Sequence, residues 1–331
     1  MELFRTVVKC TVSPEKIGYG MPIVMIGSCF AENLGARLTQ LKFNISLNPF
    51  GIVYHPAPAA RNIERIITGK PYTIDDLQQY DGLWYSFDHH GRFSHTDATV
   101  CLGQINTELL DAHDKLSRSK VLFVTFGSAW AYKLKKTGQI AANCHKLPSS
   151  YFERIIFDVN EIYSIWAATV EKLRQFNPSI NIVFTVSPIR HLRDGAHENQ
   201  LSKSTLMLAV DRLNRELNTG YFPAYEIVLD ELRDYRFYNE DMIHPNTVAI
   251  NYIWRRFCES YMEEDTLQTV KTVENIVKAS SHKPIHQNSG SREFAATYLE
   301  KIAALKQQTP ELNFDEERKQ FEKIWVLCDE K

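Results

Sequence analysis

Pro22-Ile-Val-Met-Ile-Gly-Ser-Cys-Phe-Ala31 decides the fold. The apolar run ends at Gly27, after which Phe30, Leu34, Leu38 and Leu41 recur at helical spacing. The stretch is a buried strand, a tight turn and a helix, with Ser28 on the turn.

The same rhythm continues outward. Lys42–Leu47 is a second strand closed by Asn48-Pro-Phe-Gly51, and Ala57–Thr68 is a helix stopped by Gly69. Lys120–Phe126 and Ile180–Val186 are continuous apolar runs, as parallel strands covered on both faces require. Helices are expected near 103–117, 159–175 and 201–217, the last with Leu206, Val210, Leu213 and Leu217 on one stripe. Tyr225–Leu229 reads as a fifth strand, and Pro245 as the start of a helix with an apolar face through Ile253, Trp254 and Phe257. Strands alternating with helices predict a three-layer α/β fold with right-handed crossovers. Segments 70–97 and 129–152 break the rhythm and read as insertions at the rim, the second with a hairpin about Thr137-Gly138. From 263 onward the pattern is helical, with a polar loop at Ser280–Ser291 and further helices to Cys328. The chain thus divides into an α/β domain, 1–262, and a helical appendage, 263–331.

At 331 residues with 44% hydrophobic content, the chain can fill a sizeable core. A net charge of −2 argues against a nucleic-acid partner. Six scattered cysteines without a C-x-x-C pair suggest neither a disulfide framework nor a thiolate zinc site. The first residues lack the apolar core of a secretory leader, and no window approaches a membrane span. A cytoplasmic protein without membrane attachment is expected. No nucleotide loop or haem motif calls for a cofactor, and homo-oligomerisation stays open.

Ligands of open parallel sheets bind beyond the carboxyl ends of the strands, which is where Ser28 should lie. There its hydroxyl has helix-terminal amides beside it, suited to a developing oxyanion. The alternative is that Ser28 only caps the following helix, 30–41. Cys29 is a rival nucleophile that the same helix terminus would activate, but successive residues at such a turn point in different directions, which favours a small apolar role. A serine needs a base, and the base an orienting carboxylate. The late run Asp241-Met-Ile-His244 carries both; alone it would be an ordinary turn before a helix.

Gly27-Ser28-Cys29-Phe30-Ala31 resembles the naming motif of the GSCFA family, which belongs with the SGNH, or GDSL-like, hydrolases. Asn48-Pro-Phe-Gly51, Gly127-Ser-Ala-Trp130, Asn143-Cys-His145, Ser187-Pro-Ile-Arg-His191 and Arg233–Tyr238 extend the resemblance over most of 20–262. It implies a flavodoxin-like α/β/α fold with a five-stranded parallel sheet, the SGNH hydrolase fold. It also implies Ser28 as nucleophile, with His244 and Asp241 completing a triad. In such hydrolases the oxyanion hole takes the serine amide, a glycine after the second strand and an asparagine after the third. Gly51 fits the glycine; Gly127-Ser128-Ala129-Trp130 lacks the asparagine, leaving Ser128 or Asn143 as substitute donors.

These readings lead to a metal-independent carboxylic ester hydrolase acting on a small-molecule or carbohydrate ester, with His145, Arg190 and His191 as candidate substrate contacts. A catalytically weak carbohydrate- or metabolite-binding module is the alternative, suggested by the missing asparagine. A third expectation would place zinc or manganese on the cluster Asp88–Asp97, with His89, His90 and His95. Adjacent His89 and His90 would not share a face in regular structure, which favours a solvated, substrate-lining loop.

Overall fold

A computed structural model describes residues 6–281 and 289–327. Its first strand, β1 (Ile23–Gly27), is buried at every position and runs directly into α1 (Cys29–Gln40). After β2 (Ile45–Leu47), α2 (Pro56–Thr68) carries a proline in its first turn and ends on Gly69 at φ 60°, in the left-handed region. The first insertion forms a hairpin of β3 (Gln78–Tyr80) and β4 (Leu83–Tyr85). Asp97 then caps α3 (Ala98–Arg118), accepting from the amides of Thr99 and Val100.

The third sheet strand is β5 (Val121–Phe126). The second insertion follows as β6 (Trp130–Leu134), β7 (Ile140–Ala141) and β8 (Phe152–Ile156). The hairpin about Thr137-Gly138 is present, but β8 pairs with the other edge of β6 and makes a three-stranded antiparallel sheet. Asp158 and Glu161 form a capping box at the start of α4 (Val159–Phe176), which leads to β9 (Asn181–Val186) and α5 (Ala196–Leu217).

The fifth strand departs from expectation. It is β10 (Gly220–Tyr221), whose two residues pair with Val183 and Phe184 of β9. Tyr225–Leu229 is helical instead: α6 (Ala224–Glu226) passes into a π-turn at Ile227–Glu231. A short apolar run cannot by itself distinguish a buried strand from a buried helical turn. The helix α7 (Thr247–Tyr261) also starts later than expected, because Asn246 is its cap and accepts from Ala249 N. Pro245 lies before the cap, bridged to Tyr238.

The parallel sheet has the order β2-β1-β5-β9-β10, so successive connections diverge between β1 and β5. This is the flavodoxin-like order, with its crevice at the end of β1. Helices α1 and α7 cover one face; α2, α3, α4 and α5 cover the other. The appended helices α8 (Glu264–Ser280), α9 (Ser289–Gln308) and α10 (Asp315–Leu327) pack on the α1/α7 side. Their Val273, Ile276, Ile302, Leu305 and Phe321 join the cluster containing Phe30, Leu34 and Phe257, so they extend that core. Arg37–Glu274 and Lys42–Glu317 add ion pairs across the junction. The predicted polar loop Ser280–Ser291 falls largely outside the described residues, as does Cys328. Among the described residues no helix is long and apolar enough to cross a membrane.

Gly27 ends β1 at φ 151°, and a side-chain carbon there would stand 2.4 Å from the Thr125 carbonyl oxygen. Gly27→Ala is therefore expected to lower unfolding stability by roughly 1–3 kcal/mol. Urea denaturation of both proteins checks this; an unchanged midpoint would contradict the close packing of β1 on β5.

Candidate active site

The turn after β1 is held from both sides. Gly27 N donates to Asn48 Oδ1 at 2.8 Å, and Gly27 O accepts from Val53 N at 3.0 Å. Asn48 is fully buried at φ 46°, a left-handed conformation that asparagine tolerates better than most residues. Its own amide donates to Met25 O, its carbonyl accepts from Gly51 N and Arg92 Nη2, and its Nδ2 donates to Glu32. The loop after β2 thereby aims the start of α1.

Ser28 is the helix cap, its Oγ accepting from Phe30 N at 3.3 Å. That bond uses a lone pair and leaves the hydroxyl proton free to be donated. Ser28 is only 3% exposed, and its own amide makes no hydrogen bond among the described residues. Cys29 is exposed, yet partial desolvation of its thiol raises it above the ordinary value, outweighing the helix amide.

On the loop before α7, Asp241 Oδ2 meets His244 Nδ1 at 2.7 Å. Asp241 Oδ1 accepts from the amides of His244 and Ile243, and these bonds hold its carboxyl down to about 2. The carboxylate is thus ionised at neutral pH and fixes the imidazole with Nε2 available as a base. Both side chains are nearly half exposed, at 47% and 43%. No hydrogen bond joins His244 to the Ser28 hydroxyl.

The placement of His191 follows from Gly127. A side-chain carbon on Gly127 would lie 3.4 Å from both Ser28 Cβ and His191 Nε2, and 2.7 Å from Tyr54 Cβ. His191 Nε2 is buried without a hydrogen-bond partner among the described residues. Burial lowers the imidazole to about 4, with Lys203 and His244 adding to the effect, so it is neutral at pH 7. Tyr54 O accepts from Gly127 N at 2.7 Å and Ser128 N at 3.2 Å, which joins the ends of β2 and β5.

The Gly51 amide and the Ser128 hydroxyl are already engaged, whereas Asn143 is engaged only as an acceptor and its Nδ2 makes no hydrogen bond among the described residues. Gly51 N donates to Asn48 O at 2.6 Å. Ser128 Oγ pairs with Ser202 Oγ and accepts from Trp130 N. Asn143 Oδ1 accepts from His145 N. His145 stacks on Tyr85 at 4.3 Å, and its Nε2 lies 2.9 Å from Ser86 O, so it ties the two insertions together. The Asp88–Asp97 cluster is likewise dispersed: Asp88 pairs with Arg61, His89 is packed against Phe50 and Tyr72, His90 caps a turn, and Asp97 caps α3. The solvated loop expected is met only in part: Gly91, Arg92, Thr96 and Asp97 are exposed, whereas His89 is 1% exposed. Among the described residues no three His, Cys, Asp or Glu side chains converge as a metal-binding group.

Lys203 was missed in the sequence, although it precedes Leu206, Val210 and Leu213 on the buried stripe of α5. It is 1% exposed and donates to Gly127 O at 2.6 Å and Ser187 O at 2.7 Å, bracing the ends of β5 and β9. No carboxylate pairs with it among the described residues, and burial, aided by Arg190, lowers its ammonium to about 7.

Fold and site together define a doubly wound α/β protein with a serine at the switch point and an Asp-His pair on the last loop. The sequence model of the GSCFA family matches residues 22–257, and that of the C-terminal domain of GSCFA domain proteins matches 273–325. The chain belongs to the GSCFA family. A search of curated proteins finds no match.

Two predictions follow from this scaffold. Asn48→Ala is expected to destabilise the protein by about 1–3 kcal/mol, since it strands the buried Gly27 amide; the midpoint of denaturant unfolding measures it. Lys203 binds its proton more weakly folded, at about 7, than at the ordinary 10.5. Its burial penalty is absent above pH 10.5, grows as pH falls to 7 and is constant below. The stability of wild type relative to Lys203→Met should therefore rise between pH 7 and 10.5, by at most about 1.4 kcal/mol per unit. A flat difference would mean that the lysine stays charged throughout.

Proposed function

We propose that the protein is a metal-independent serine hydrolase of the SGNH, or GDSL-like, type that cleaves a carboxylic ester of a small molecule or carbohydrate. Ser28 Oγ attacks the ester carbonyl carbon while His244 Nε2 takes its proton. The carbon–alkoxide bond then breaks, and His244 returns the proton to the leaving alcohol. Water, deprotonated by the same imidazole, adds to the acyl-serine and releases the acid and Ser28. Asp241 holds the ring tautomer and stabilises the imidazolium.

The observation that carries this reading is the 2.7 Å Asp241–His244 contact on the last loop of a fold whose switch-point turn carries Ser28. The unbonded Ser28 amide supports it further, being free to donate to an oxyanion. A second reading, a binding module on the same fold, is supported by the engagement of the Gly51 amide and the Ser128 hydroxyl in internal hydrogen bonds.

A fluorophosphonate probe is expected to label Ser28 in the wild type and to leave Ser28→Ala unmodified at that position, read by peptide mass spectrometry. Asp241→Asn should lower turnover of short-chain p-nitrophenyl esters by about ten-thousandfold. Binding of acylated ligands with no labelling and no turnover would select the module.

A further inference from the structure

Beside the Asp241–His244 loop lies a cavity of about 330 Å³. One wall is the segment after β9, with Arg190 and Leu192; another is the π-turn and its exit, with Val228, Leu232 and Arg233; Tyr238 and Met242 close it from the loop itself. The cavity therefore adjoins both the carrier of His244 and the chain leading to His191.

Its charges are unbalanced. Arg233 is paired with Asp230 at 3.1 Å, and Asp234 is turned to Arg236, accepting from its amide at 2.9 Å. Arg190 makes no ion pair or hydrogen bond among the described residues, although it is half-buried. Behind it Lys203 donates only to backbone carbonyls. Arg190 thus stands on this wall with no carboxylate to neutralise it among the described residues. A guanidinium has five donors in a rigid fork, and leaving it unpaired in a partly desolvated cleft is unfavourable unless an anion completes it. The planar fork matches two oxygens of a carboxylate or phosphate. The remaining lining is apolar or aromatic, suited to the carbon skeleton that bears such a group.

We propose that the ester substrate carries an anionic oxygen group, a carboxylate or a phosphate, which Arg190 binds in this cavity while the ester lies toward Ser28. The substrate assignment rests on the serine-hydrolase reading; the anion site itself does not. Lys203, buried outside the cavity lining, repels Arg190 only while it is protonated, and a bound anion would offset that repulsion.

Protection of Ser28 from the fluorophosphonate probe, with inorganic phosphate, succinate or neutral 1,4-butanediol as competitor, tests this on the full chain. Phosphate or succinate should slow labelling and the diol should not. Protection by phosphate alone identifies a phosphate-bearing substrate, by succinate alone a carboxylate-bearing one, and by both a site for either. In Arg190→Gln the protection constant should weaken by about tenfold or more, relative to that variant's own unprotected rate, and Arg190→Lys should keep part of it. Labelling that neither anion slows, or protection unchanged in Arg190→Gln, overturns the proposal. If Ser28 is not labelled at all, the nucleophile reading fails and thermal unfolding decides the anion site. Phosphate or succinate should then raise the midpoint of wild type but not of Arg190→Gln, and equal shifts overturn it.

Discussion

The hydrogen bond from Gly27 N to Asn48 Oδ1 is the constraint on which the rest depends. A strand end is ordinarily free to splay, because its last amides have left the sheet ladder. Here the amide is captured by a side chain from the neighbouring strand's loop, while the Gly27 carbonyl is captured by Val53 from the same loop. Ser28 consequently emerges in one direction, toward Gly127 and His191. Asn48 can do this only in a left-handed backbone conformation, which its own amide and carbonyl hydrogen bonds stabilise.

The same economy extends across the sheet edge. Tyr54 O binds the two amides at the end of β5, and Lys203 binds the carbonyls at the ends of β5 and β9. Four strand-end segments are thus joined by hydrogen bonds that the ladders do not provide. The arrangement consumes the Gly127 and Ser128 amides as donors. It also buries a lysine beneath the strand ends with no carboxylate partner among the described residues.

Much of the fold was legible because continuous apolar runs and helical stripes are local patterns: β1, β5, β9 and the helices α1 to α5 lie within a few residues of their expected positions. Tyr225–Leu229 was not, since its apolar run suits a π-turn as well as a strand, and only pairing with β9 reveals that Gly220–Tyr221 takes that edge. For the site, Asp241 and His244 were legible because three residues of one loop bring them together. His145 was not, for its stacking on Tyr85 depends on two insertions meeting in space. Lys203 left a signal, a lysine on an apolar stripe, which a search for catalytic motifs passes over.

The sequence by itself determined the layer order, the strand–turn–helix around Ser28 and the Asp-x-x-His pairing, because each is set by neighbours along the chain. Tertiary structure alone decided which donors are spent, that His191 rather than an asparagine stands beside Gly127, and that Arg190 faces a cavity unpaired. Hydrogen-bond satisfaction and charge balance are sums over groups distant in sequence, and such sums exist only once the chain has closed on itself.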